Sequence, residues 1–173
     1  ILVRHDSPVI ADFSLNVSDL IHTPYSASIG SVLVPLELHL MRYLLQHRLQ
    51  SISEQNVEDI VYDVYSNHEL LDPVLGAEEA LIAQSYLMRF VNKSLVEIEA
   101  VVLQGSGTWD LYMLCANYWK ILKEFSGFKV HVFMPHLKLC EKLFRENMRI
   151  DPAHRKTVLE SKDLMKKIFS VYR

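Results

Sequence analysis

The hydrophobic positions of this chain change their period along its length. From Leu36 the segment LELHLMRYLLQHRLQ carries two apolar stripes, one of Leu36, Leu40, Tyr43 and Leu44, the other of Leu38, Met41, Leu45 and Leu49. Residues three and four apart share a helix face, so two stripes predict a helix that is deeply buried or shared with another chain. Pro35 suits the first turn of that helix. Ser51 and Glu54 have the spacing of a capping box, and Val57, Ile60, Val61 and Val64 mark the buried face of a second helix. Beyond Asp72-Pro73 and Gly76, a third helical pattern places Ala80, Ala83, Leu87, Phe90 and Val91 on one side. The whole stretch from Leu36 to Asn92 is expected to be helical. Residues 1–34 are the least helical; PVIADFSLNV and IGSVLVPL are strand-like and predict an extended arm lying on a partner or on the domain.

At Glu97 the pattern shortens. IEAVVLQ is β-branched and bounded by Gly105, which suits a buried parallel strand. A helix with Leu111, Leu114, Cys115, Tyr118 and Leu122 on one side follows, ended by Gly127. FKVHVFMP reads as a second strand stopped by Pro135, and HLKLCEKLFRENM and KTVLESKDLMKKIFSVY as two further helices. Strand, tight turn, helix, strand, helix is a βαβα unit. The expected fold is therefore α/β: an arm over 1–34, then a domain over 35–173 whose N-terminal helices (35–94) pack on a Rossmann-like parallel-sheet unit (95–173). Two strands make an inadequate sheet, so either the arm contributes strands or the fold is truncated.

Composition narrows the class. The chain has 173 residues, half of them hydrophobic and 23% charged, enough for a core and wrong for a disordered segment. Its apolar runs fall short of the roughly 20 residues of a membrane span, so no membrane partner is expected. The first residue is Ile1 and no leader pattern is visible, which predicts a piece cut from a longer protein. Cys115 and Cys140 lie in helical patterns without metal spacing, which predicts reduced thiols and a cytoplasmic location. The net charge of −3 is uneven: His136 to Arg173 holds ten Lys/Arg against five Asp/Glu. That basic end has two readings, a surface for RNA or an acidic partner, or the solvated face of amphipathic helices.

Little in the chain has the spacing of reactive chemistry. The eight histidines include no H-x-x-x-H on one helix, and His39 and His47 are too far apart for one metal, so no metal site is expected. Ser106 lies in GSG and not in a nucleophile elbow. Glu78 and Glu79 are adjacent, point different ways and fit first-turn carboxylates. Trp109, Tyr112, Tyr118 and Trp119 could stack on bases, but few basic residues interleave with them, which favours packing.

The loop GSGTWD, from Gly105 to Asp110, is the sharpest local feature. A Gly-rich turn opening a helix offers N–H groups to a phosphate. Here the third glycine of G-x-G-x-x-G is Asp110, whose carboxylate opposes an anion, and Trp109 adds bulk. The stretch EAVVLQGSGTWDLYMLCANYWKILKEFSGFKVHVFMP resembles the core of the YjeF N-terminal domain family, over roughly Leu75 to Pro135 and more loosely from Pro35. VLGAEEALIAQ resembles the family's Asn-Ala-Gly helix, with Gly76 at its glycine. The family includes epimerases that repair hydrated nicotinamide dinucleotides and enhancer-of-decapping scaffolds that dimerise in mRNA decay. The epimerase loop has the form G-P-G-N-N-G-G-D-G. Gly105 and Gly107 match its first glycines, but Thr108 and Trp109 replace the asparagines, and Leu111 and Tyr112 stand where glycines belong. No catalytic residue carries over.

The resemblance implies a non-catalytic scaffold of cytoplasmic RNA metabolism without a cofactor, pairing with itself or another protein through Leu38, Met41, Leu45 and Leu49. The alternatives are an epimerase-type or other nucleotide-binding enzyme holding its ligand on Gly105, Ser106, Gly107 and Thr108, and an RNA-binding module using the basic C-terminal helix.

Overall fold

The computed structural model of the chain describes residues 2–4, 7–9, 34–65, 73–125 and 134–170. In chain order these form β1 (Leu2–Arg4), β2 (Ser7–Val9), α1 (Leu36–Gln46), α2 (Glu54–Tyr65), α3 (Pro73–Met88), α4 (Leu95–Gln104), α5 (Trp109–Phe125), α6 (Met134–Asn147) and α7 (Val158–Ser170), with short 3-10 turns at Ser106–Thr108 and Pro152–His154. β1 and β2 pair antiparallel in register Leu2 with Val9. That ribbon is the only sheet among the described residues.

The α/β expectation is therefore corrected: the domain is helical, and no Rossmann-like parallel sheet exists among the described residues. The predicted strand over IEAVVLQ is the body of α4. Its start is a capping box, in which the Ser94 hydroxyl accepts from the Glu97 N–H and the Glu97 carboxylate accepts from the Ser94 N–H at 2.8 Å. Two satisfied helix-end groups outweigh the small helix cost of β-branched residues. Ile98 and Val102, four apart, then bury one helical face. The second predicted strand and Gly127 lie outside the described residues, except that Met134 and Pro135 begin α6.

α1 is the centre of the molecule. Every residue from Leu36 to Leu44 is buried, so both predicted stripes are used. Pro35 sits one position earlier than expected, at the cap. The helix closes with a Schellman turn: the Leu49 N–H donates to the Leu44 carbonyl at 2.9 Å and the Arg48 N–H to the Leu45 carbonyl at 3.2 Å. Arg48 takes the left-handed φ of 54° that such a turn needs. α1 packs on α2 and α4, α2 pairs with α3, and α6 pairs with both α5 and α7.

α2 buries Val57, Ile60 and Val64 as its pattern requires, while Val61 is half-buried. Its cap is Ser53 with Asn56, two residues beyond the predicted box; the Asn56 N–H reaches Ser53 Oγ at 3.3 Å. The turns before α2 and α4 are tied together: Leu95 N–H donates to the Gln50 carbonyl at 2.7 Å and Asn92 N–H to that of Ile52 at 3.1 Å. α3 buries Ala83 and Leu87, and Phe90 beyond its end. On α5 the packed residues are Trp109, Tyr112, Cys115 and Ala116, while Leu114 and Tyr118 of the predicted stripe are exposed.

Candidate functional site

The loop from Gly105 to Asp110 connects two helices and is a 3-10 turn, so the strand-to-helix geometry of a phosphate loop is not formed. Three of its backbone donors are engaged within the fold. The Gly105 N–H donates to the Val102 carbonyl at 3.0 Å, the Thr108 N–H to Gly105 at 3.0 Å, and the Trp109 N–H to Ser106. The Thr108 hydroxyl donates to the Gly105 carbonyl at 2.8 Å and accepts from Arg155 at 3.1 Å. Gly105 is buried against the Pro152 ring, while Gly107 is exposed and Ser106 half-buried. The four residues expected to hold a nucleotide thus stand together, and the polar groups of Gly105 and Thr108 are bound within the fold.

What they turn toward is a buried polar node. The Glu37 side chain, on the first turn of α1, is fully buried and accepts from Trp109 Nε1 at 3.0 Å and from both terminal nitrogens of Arg155, one at 2.9 Å. Arg155 Nε donates to the Arg149 carbonyl at 2.7 Å, and one terminal nitrogen also donates to the Ile150 carbonyl at 3.1 Å. With the bond to Thr108, all five guanidinium donors are matched, as a buried charge requires. The guanidinium also lies 4.7 Å from the Tyr112 ring centre. Arg155, from the basic C-terminal stretch, is a core residue and not part of an exposed face.

Tyr112 is shared between this node and an open cleft of about 390 Å³ among α2, α3, α5, α6 and the segment leading to Pro152. Tyr65, Tyr112 and Trp119 form an aromatic wall, and Ile82, Ala116 and Met148 add apolar surface. Lys120, Arg145, Arg149 and His154 line it with cationic or titratable groups, against Glu79 and Asp151. Asp151 is committed elsewhere: Arg89 binds it at 2.7 Å, and its other oxygen accepts from the Ala153 N–H at 3.0 Å. Arg145 lies 4.9 Å from the Trp119 ring centre. Among the described residues Lys120 and Arg149 make no ion pair. Burial raises the Glu79 carboxyl above its usual range, with Arg145 opposing the shift. Burial also raises the Tyr65 phenol, reinforced by Tyr112 and Glu79, so the cleft holds neutral phenols.

The residues expected at an interface are placed differently from one another. Leu38 and Met41 lie in the chain's own core, and Leu45 and Leu49 are half-buried. Leu49 packs against that core, the position that follows a Schellman turn. A second face of α1 is apolar because neighbouring elements of the same chain cover it. Cys115 is buried and its thiol is pushed up to about 12 by desolvation, which makes it a poor nucleophile. No cluster of three or more metal-ligating side chains occurs among the described residues, and no described helix is long and apolar enough to cross a membrane.

Sequence patterning missed Glu37, Arg155 and the cleft. Glu37 carries a signal, the single carboxylate between Asp19 and Glu54, flanked by Leu36 and Leu38; Arg155 carries none beyond its place in a basic stretch. Comparison with protein families, with curated proteins and with solved structures gives no match.

Proposed function

We propose that this chain is a non-catalytic helical scaffold that binds another protein, or a second copy of itself, through the outer face of α4. The observation that carries this reading is the distribution of apolar residues around α4. Ile98 and Val102 bury one side, yet the opposite side presents Val96, 74% exposed, and Leu103, 43% exposed, with Ala100 between them. These three fall at i, i+4 and i+7, a continuous stripe on the solvent side. A helix that is apolar on both faces is covered on both when it is at work. Leu81 and Ile82 on α3, 67% and 55% exposed, add to the apolar surface of the molecule.

The polar chemistry points the same way. The Gly105 and Thr108 donors are spent within the fold, and Cys115 is buried and protonated. A reducing, cytoplasmic setting fits two free thiols. The role in RNA metabolism rested on the family resemblance, and a helical fold lends it no support.

The test replaces Val96 and Leu103 together with Asp. Both side chains are exposed, so the variant should keep the parent's melting temperature within a few degrees. Sedimentation of the parent at tens of micromolar, alone and with candidate partner proteins, should show an associated species that the variant lacks. A variant that associates like the parent would remove α4 from the reading.

A further inference from the structure

We propose that the cleft between Tyr65, Tyr112 and Trp119 is a docking site for a short acidic peptide segment carrying a large apolar side chain. This rests on the scaffold reading above and names a partner class for a second surface of the same molecule.

The size of the cleft, about 390 Å³, falls in the range of ligand pockets. Its apolar part, Ile82, Ala116 and Met148 with the aromatic wall, suits one bulky side chain. Charge decides the rest. Lys120, Arg145 and Arg149 line one pocket against Glu79 and Asp151, and Asp151 is already bound by Arg89 at 2.7 Å. Arg145 touches Glu141 only at 3.5 Å on an exposed surface, a contact easily exchanged for a better carboxylate. Three cations with one uncommitted internal acid leave an excess of positive charge, which complements carboxylates on the incoming chain. Arginine offers a carboxylate two parallel donors, and two of the three cations are arginines.

The same geometry disfavours a nucleic acid. Base stacking needs an open aromatic face. Here Arg145 lies 4.9 Å from the centre of the Trp119 ring, and Arg155 4.7 Å from that of Tyr112.

The experiment measures fluorescence polarisation of the full chain with an array of fluorescein-labelled decapeptides, each of Asp and Glu flanking one Phe, Leu or Trp. Lysine-for-glutamate versions and a labelled uridine dodecamer are the controls. At least one acidic peptide should bind with a micromolar dissociation constant, and the lysine versions should not. Lys120→Glu with Arg149→Glu should weaken that peptide by about tenfold or more, since both reversals act on the ligand's carboxylates. Ile82→Asp should weaken it independently, at a side chain exposed enough to leave folding intact. Failure of every acidic peptide to bind, or binding unchanged in these variants, overturns the proposal. Tighter binding of the uridine dodecamer that the same variants abolish also overturns it, by assigning the cleft to RNA. The Val96 and Leu103 variant separates the two claims: if it loses association while peptide binding fails in the parent, only the cleft proposal falls.

Discussion

Arg155 and Glu37 meet across 118 residues of sequence, with both terminal nitrogens of the guanidinium on one carboxylate and both side chains almost fully buried. The pair fastens the segment before α7 to the first turn of α1, and Trp109 joins α5 to the same carboxylate. Three separate parts of the chain thus converge on one charged group.

Breaking such a pair from one side leaves the other charge buried alone. Arg155→Met should destabilise the chain by about 3–5 kcal/mol, and Glu37→Leu by a similar amount. The double variant should cost clearly less than the sum, because neither charge remains. Urea unfolding of the four proteins gives the coupling directly. Additive losses would show that the pair is not closed in solution. Trp109 fluorescence should report the same event, since its indole N–H loses its acceptor when Glu37 is removed.

The two loop glycines should respond with opposite signs. A Cβ on Gly105 would stand 3.0 Å from two carbons of the Pro152 ring, which cannot swing aside. Gly105→Ala should therefore cost about 1–2 kcal/mol. At Gly107 a Cβ meets nothing within 4 Å, and neither glycine has a positive φ. Gly107→Ala should stabilise by about 0.4–1 kcal/mol through the unfolded chain alone. Thermal melts of the two variants check this. Equal effects at the two positions would mean that Gly105 does not press on the Pro152 ring.

These positions also show where the sequence was readable. Val57, Ile60 and Val64 of α2 bury the face their spacing predicts, because a helix packed on one side must repeat its apolar positions every three to four residues. α4 misled because a short β-branched run has the same pattern in a buried strand and a half-buried helix. The signal that separates them is local: Ser94 and Glu97 have the same capping-box spacing as Ser51 and Glu54. With α4 a helix, the βαβα reading falls, since it depends on a strand before Gly105. The apolar face of α1 misled for another reason. Pattern shows that a face must be covered, but whether the cover is the same chain depends on long-range packing. The node and the cleft were illegible because their residues come from separate parts of the chain, and no periodicity links Glu37 to Arg155 or Tyr65 to Trp119.

Acid titration should separate glutamates in two different environments. Glu97 and Glu160 each close a capping box, and hydrogen bonds from Ser94 and Thr157 hold their carboxyls below the usual range. Their folded forms bind protons less readily than the unfolded chain. The stability they contribute is present above the unfolded value of about 4.3 and is lost as pH falls through the folded values. Glu97→Gln should therefore melt lower than the parent at pH 7, and the two should converge in strong acid. Glu79 has the opposite sign. Burial raises its carboxyl, so the folded state holds the proton more tightly and gains stability as pH falls through the folded value toward the unfolded one. Glu79→Gln removes the cost of a half-buried charge and should melt above the parent at pH 7, with the difference shrinking at acid pH. Melting curves of both variants from pH 2 to pH 8 check the pair. A Glu79→Gln protein that melts lower at pH 7 would mean that its carboxylate is paired with Arg145 strongly enough to outweigh burial.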